Sequence, residues 1–255
     1  MKKSSMKDRR LIAISVLILG LIWFLVSRKI NNDIYLPTLK NILIEIYNIL
    51  FTKEVLYSIT SSILRGFISV LIAILISLIL GVISAFNKYI YNFLYPINLL
   101  IKSIPTIAFI VIALILVDKS FAPFLIGFFI SYPIFYDVII SSILNIDREL
   151  IEMCDTFKIS FLNRIKNIYG PKIIFSLFNI LSSTISLTLK VVIAGEVYGQ
   201  PDYGIGTLIQ MDKMNFNTVG IFAWIIIIVF ITFIIDIILK IINKNFILYG
   251  EKDDF

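Results

Sequence analysis

Reactive side chains are scarce in this sequence, and their types limit the chemistry before any fold is considered. The 255-residue chain has no histidine and one cysteine, Cys154. That removes Cys/His zinc sites, CxxC redox pairs, intrachain disulfides and every histidine-based triad. There is no GxxxxGK[ST] phosphate loop and no GxSxG elbow, so this chain is not itself expected to hydrolyse nucleotide, and an intramembrane enzyme has no catalytic set. What remains are charges set within long apolar runs: Arg65, Lys190 and Glu196, then Lys102 and Asp137. A charge inside a membrane span is costly and marks either a solute path or a pair that holds helices together. Arg65, Lys190 and Glu196 would ring an outer vestibule favouring an anion. The other reading is snorkelling, or an Arg65–Glu196 or Lys190–Glu196 pair that only joins helices. Asp137 is expected to pair with Lys102. Ser182 and Ser186 share one face of an apolar run, and Thr184 and Thr188 another. Hydroxyls in that pattern either line a path that never grips its solute or let helices approach closely.

These groups must be positioned by a membrane-embedded frame. Hydrophobic residues make up 59% of the chain, and the mean hydropathy is +0.96. Runs of about twenty apolar residues read as spans. A basic start, 1–10, leads into a first span at 11–27 that lacks a small-residue cleavage site and is expected to stay uncleaved. An amphipathic segment at 28–56 would lie at the interface. The core, 57–243, holds spans near 57–86, 97–117, 121–144, 172–195 and 219–241, with a turn at 87–96 and a short charged tail at 244–255. Pro105 and Pro133 would kink their spans. The stretch Gly204-Ile205-Gly206 reads as a turn facing outward.

The net charge of +6 is distributed by membrane side and forms no single patch, so nucleic acid is not an expected partner. Lys2, Lys3, Lys7, Arg9, Arg10, Lys88, Lys102, Arg148, Lys158, Arg164, Lys166, Lys172, Lys240, Lys244 and Lys252 share one side, against Arg28, Lys29, Lys40, Lys53, Lys119 and Lys213 on the other, which places both termini and the 145–171 loop in the cytoplasm. The fold class expected is therefore an all-α integral membrane protein of six transmembrane helices, N-in and C-in.

The 145–171 loop is the longest polar stretch. Asp147 is placed to cap a helix with Glu149 in its first turn, and Leu150, Met153 or Cys154, and Phe157 recur at helical spacing. Ser160 would cap a second short helix, and Gly170-Pro171 would end it. Two amphipathic helices with a bend between spans suit a docking element for a soluble partner.

The spacing Glu152-x5-Lys158-x9-Ile168-x-Gly170-Pro171 resembles the EAA loop of ABC-transporter permease subunits. Glu152, Ile168 and Pro171 agree in type, Met153 and Cys154 stand where the family has Ala, and Lys158 stands where it has Gly. Asn145 to Met153 and Glu196 to Ile209 are similar to segments of importers for sulfonates, nitrate and taurine, and the likeness runs from about Leu36 to Ile241. The resemblance implies a coupling loop of Glu152, Met153, Cys154, Asp155, Thr156, Phe157, Lys158, Ile168 and Pro171 that seats in a cytoplasmic ATPase. It also implies an extracytoplasmic solute-binding protein, a second copy of the chain, ATP and Mg held by the ATPase and none by this chain, and a bacterial plasma membrane. Arg65, Lys190, Glu196, Ser182 and Ser186 are the candidates for a solute path. The solute expected is a small anion; a thiamine-pyrimidine-like precursor shares the pattern. An ion-gradient-driven carrier is the reading from another class, and it predicts inverted repeats and a midplane carboxylate. With Lys158 in place of Gly, the bend is expected to survive with its turn shifted.

Overall fold

The structure, a computed structural model, describes the backbone of residues 6–50 and 52–250 and the side chains of residues 11, 14–50 and 52–242. The basic start at 1–10, residues 12 and 13 of the expected 11–27 span and the tail at 244–255 lie outside the described side chains. Helices follow one another: α1 (Met6–Ile30), α2 (Leu39–Leu50), α3 (Lys53–Phe86), α4 (Lys88–Ser103), α5 (Thr106–Leu116) and α6 (Ala122–Leu144). Then come α7 (Arg148–Thr156), α8 (Phe161–Arg164), a π turn (Ile165–Tyr169), α9 (Gly170–Gly199), α10 (Ile205–Met214) and α11 (Thr218–Gly250). No strand occurs among the described residues. Among them, four helices are long and apolar enough to cross a bilayer: α3, α6, the continuous Phe161–Gly199 and the Thr218–Ile242 part of α11. A fifth crossing results if α4 and α5 count as one.

That pair corrects the expected turn at 87–96 and replaces the expected kink within a 97–117 span by a break, because α4 and α5 are bent by 102°. Pro105 is the cause. Its ring bars the helical conformation to the residue before it, and Ile104 is extended at φ −69°, ψ 124°. Upstream, the Asn87 side chain accepts hydrogen bonds from the Tyr89 and Ile90 N–H groups and starts a helix where a turn was expected. Pro133 stays inside a continuous α6.

The core is inverted relative to a soluble bundle. Along α3, Ser58, Ser62, Gly66, Ser69, Ala73, Ser77, Gly81 and Ser84 are buried, while Leu64, Phe67, Leu71, Leu75 and Ile79 are exposed. Lipid tails are as apolar as leucine, so burying Leu gains little; close backbone approach and hydrogen bonds drive packing instead. Ser69 Oγ donates to the Phe124 carbonyl at 2.8 Å and Ser77 Oγ to that of Tyr132 at 2.9 Å, both on α6. Gly66 faces Leu189 of α9, and Gly127 of α6 faces Ser69 and Val192. Around this seam pack Val70, Phe135, Tyr136, Ile140, Ile185 and Leu189.

At the end of the bundle where α3 begins, α2 buries Ile42 and sets Ile46 and Ile49 against the cluster around Trp224 of α11. Trp23 of α1 meets Phe222 edge-on at 5.2 Å and donates from Nε1 to the Pro37 carbonyl. The amphipathic segment is thus packed protein on its apolar side.

A side chain added on the seam meets atoms already in contact. A Cβ at Gly81 would come 2.9 Å from Ile139 Cγ2. Gly81→Leu is expected to destabilise the protein by about 1–3 kcal/mol, while Leu75→Ala on the outer face costs less. Thermal melts in detergent compare the two.

Candidate functional site

The most constrained polar group is the Glu196 carboxylate, which has no exposed surface. Three elements meet on it. From α3, Ser62 Oγ donates to Oε2 at 2.7 Å and Arg65 Nη1 to Oε1 at 2.8 Å. From α10, the Gly206 N–H donates to Oε2 at 3.1 Å. Arg65 Nη1 also donates to the Tyr203 carbonyl at 2.7 Å, and Ser62 Oγ accepts from the Ile205 N–H at 2.9 Å. The chain must come very close for this. A Cβ at Gly206 would lie 2.3 Å from the Ile193 carbonyl oxygen, and one at Gly204 would lie 2.7 Å from the Glu196 carboxyl carbon. This corrects the reading of Gly204-Ile205-Gly206 as an outward turn. All three are buried, and they close over a carboxylate.

Arg65 and Glu196 are thus brought together, and Lys190 is not. It is exposed on α9 and forms no ion pair with any described residue. Thr184 and Thr188 are buried and donate to carbonyls one turn back on their own helix. Ser182 instead donates to Asp236 of α11, which is paired with Lys240, and Ser186 is half-buried. Lys102 pairs with Asp137. In the loop after α9, the Lys119 ammonium bonded at 2.8 Å holds the Asp202 carboxyl below the usual range.

At the opposite end, residues 145–171 fold into a hook. Asp147 and Ser160 cap α7 and α8 through their side chains. Cys154 is fully buried, Leu150 and Ile168 are half-buried, and Met153, Phe157 and Leu162 are exposed, the last two at 73% and 77%. Glu152 is exposed and pairs with Arg148 one turn earlier. Asp155 and Thr156 also face outward.

The bend does not shift to avoid Lys158. Lys158 itself takes the left-handed conformation at φ 50°, which costs a non-glycine residue about 1–2 kcal/mol. Arg164 offsets that cost across the bend. Its Nη1 pairs with Asp155 at 2.7 Å, Nη2 donates to the Cys154 carbonyl at 3.0 Å, and Nε donates to the Ile159 carbonyl at 2.9 Å. Three contacts from one planar fork fix the angle between α7 and α8.

Gly170-Pro171 does not end the helix as expected. The Gly170 N–H donates to the Ile165 carbonyl, five residues back, and Pro171 lies in the first turn of α9. Widening the ladder by one residue lets the helix absorb a proline that would otherwise break it. Phe86 at the end of α3 holds the base of the hook, edge-on to Phe161 at 5.3 Å and to Tyr169 at 5.1 Å. Ser62, Arg164 and Phe86 were missed from sequence. The Ser62–Arg65–Ser69 spacing, three then four residues on one helix face, was the readable signal for the first.

A multi-pass helical membrane protein with a braced hook at one end and a buried ion pair at the other is the class these features define. A family model described as the binding-protein-dependent transport system inner membrane component matches residues 73–247, and the chain belongs to that family as a membrane permease component of such a system. No curated protein matches the chain.

Removing one partner of a buried pair leaves the other uncompensated, so Arg65→Ala and Glu196→Ala are each expected to cost about 3–5 kcal/mol. The double variant should lose less than the two single losses added, as a double-mutant cycle on melting would read.

A separate pH response is expected at Asp212 of α10. Burial pushes its carboxyl up, opposed by hydrogen bonds from Asn217 and from Trp224 Nε1 at 3.1 Å, and reinforced by the charge of Glu45. Because the folded value is the higher one, the protonated form favours folding; that contribution is full below the ordinary aspartate range and is lost as pH rises through the folded value. Trp224 emission in a Trp23→Phe background should titrate above the ordinary aspartate range. Glu45→Gln should lower the midpoint, and Asp212→Asn should abolish it.

Proposed function

We propose that this chain is the membrane-spanning permease subunit of an ATP-driven importer, taking a small solute from an extracytoplasmic binding protein and releasing it into the cytoplasm. The observation that carries this reading is the braced hook. It presents Phe157 and Leu162 to solvent on a frame stiffened by Arg164 and anchored by Phe86. Large exposed apolar side chains on a rigid polar stalk suit insertion into a groove of a soluble protein. In this reading that protein is a cytoplasmic ATPase carrying ATP and Mg, and Glu152, Met153 and Phe157 meet it. Six helices then cross a bacterial plasma membrane with both termini inside. Two copies related by a twofold axis give each of two ATPases its own hook. Closure of the ATPases moves the helices as rigid bodies.

The resemblance to sulfonate, nitrate and taurine importers favours an anionic solute. With Arg65 held by Glu196, the exposed Lys190 of α9 is a cation that would attract an anion toward that end of the bundle. A vitamin-precursor solute of the thiamine-pyrimidine kind is the second reading, favoured by an aromatic cavity between α4 and α6.

Glu152→Ala combined with Phe157→Ala is expected to weaken ATPase binding by roughly tenfold or more, the loss of one or two anchors. Arg164→Ala should weaken it too while leaving the bundle folded. Co-purification with the ATPase and ATPase stimulation in proteoliposomes measure both. Unchanged affinity in the double variant, or transport with no ATPase present, would overturn the proposal.

A further inference from the structure

A span that meets lipid on its open side carries apolar residues there, and α3 does so with Leu64, Phe67, Leu71 and Leu75. The α9 helix does not. Lys172, Ser176, Asn179, Ser183, Ser186 and Lys190 follow one another at steps of four and three residues, which keeps them on one face. Lys172, Asn179, Ser183 and Lys190 are exposed, and Ser176 and Ser186 are half-buried. The opposite face buries Thr184, Thr188 and Val192 against the bundle. On one flank Val191 and Ala194 join the cluster around Ile110 and Ala113 of α5. On the other, Ser182 bonds Asp236 of α11. The polar face therefore opens between α5 and α11. From Lys172 to Lys190 it rises roughly 27 Å at about 1.5 Å per residue, close to the ~30 Å of a bilayer's hydrocarbon core.

This face holds two cations and no carboxylate. Neither lysine has an ion-pair partner among the described residues, and Ser176, Asn179 and Ser186 have no side-chain hydrogen bond there. Ser183 donates to the Ile180 carbonyl at 2.8 Å. Thr184 and Thr188, on the buried face of the same helix, both direct their protons to carbonyls one turn back. Toward α11, Asp236 is already held by Ser182 and Lys240.

Hydrocarbon is a poor neighbour for such a face. Lysines near its ends can reach the interfaces, but the short Asn179 side chain, well inside the span, cannot. The groove where α3, α9 and α11 meet, lined by Ile63, Phe67, Ile235 and Ile238, suits lipid tails instead. A dry seam between two copies fits no better, because it would bury like charges without partners. Water carrying an anion fits both the free donors and the charge.

We propose that this face of α9 is a wall of the solute path, with Lys190 as the residue that selects for negative charge. Asn179, Ser183 and Ser186 form neutral polar steps about one helical turn apart between the two lysines, and weak successive contacts let a solute leave as readily as it enters. The inference rests on the permease reading and deepens it. It moves the path away from Arg65, Glu196 and Ser182, whose polar atoms are already engaged. A second copy of the chain would close the other side.

Thiol labelling tests this without knowledge of the solute. Asn179→Cys, Ser183→Cys and Ser186→Cys would be made singly in full-length permease in lipid nanodiscs, with Leu75→Cys on the outer face of α3 as the lipid-facing reference. The native Cys154 is fully buried, and the unaltered chain gives the blank. Rates with an anionic sulfonatoethyl and a cationic trimethylammonioethyl methanethiosulfonate are each divided by the rate with a free thiol. All three α9 sites should react while Leu75→Cys does not, and Ser186→Cys should favour the anionic reagent several-fold. Adding Lys190→Gln should remove that preference and Lys190→Glu should reverse it, a change of roughly tenfold. The rate with a neutral methanethiosulfonate should stay the same, which separates lost charge from lost folding. Sites as slow as Leu75→Cys, as in a dry seam, or a preference that Lys190→Gln leaves in place would overturn the inference. Co-purification with the ATPase reports on the permease reading separately. A chain that binds its ATPase but does not label loses only the path, and one that labels as expected but binds no ATPase keeps the path and loses its motor.

Discussion

A carboxylate with no exposed surface, inside a bundle whose outer face is hydrocarbon, sets the terms for the rest of this molecule. Glu196 is tolerated only because Arg65, Ser62 and the Gly206 N–H converge on it. Each partner arrives from a different direction, so satisfying the charge fixes α3, α9 and the start of α10 relative to one another. Replacing the pair by apolar side chains of similar volume need not weaken the fold, since desolvation of a buried pair rivals its attraction. What such side chains cannot supply is direction: a carboxylate accepts bonds along a few lines, and those lines fix where α10 begins.

The other end of the bundle is held differently. The hook depends on aromatic edges and a guanidinium fork, not on a buried charge, and its tip is left in solvent. Between the two ends runs a single helix, Phe161–Gly199, of 39 residues. At 1.5 Å per residue it is roughly 58 Å long. Its hook end carries the π turn and its far end carries Glu196. A displacement at the hook therefore reaches the ion pair along one rod, without a loop to dissipate it. The widened ladder at 165–169 preserves that continuity: a proline break at Pro171 would have separated hook from rod.

Much of this was legible in the residues. Apolar runs gave α3, α6, α9 and the apolar part of α11, because span length is a composition signal that little else imitates. The caps at Asp147 and Ser160 were readable because capping is local. The bend between α4 and α5 was not, since Pro105 permits either a kinked span or a broken one and only the neighbours decide. Lys158 misled for a related reason. Left-handed backbone disfavours lysine locally, but Arg164, six residues on, supplies contacts that no local propensity includes. Gly204 and Gly206 read as a turn because the group they approach lies on another helix.

Many hydroxyls of the polar interior follow one rule. Ser69, Ser77, Ser131, Ser142, Thr184 and Thr188 are buried, and each donates to a backbone carbonyl. A hydroxyl can do this because it has one proton and rotates freely to place it. A carboxamide cannot be satisfied so cheaply: it has two donors and an acceptor in a rigid plane, and helical carbonyls offer nothing to the acceptor. In a bundle that uses hydroxyls almost throughout, Asn98 of α4 is a buried carboxamide, and it lies against the Tyr132 hydroxyl of α6.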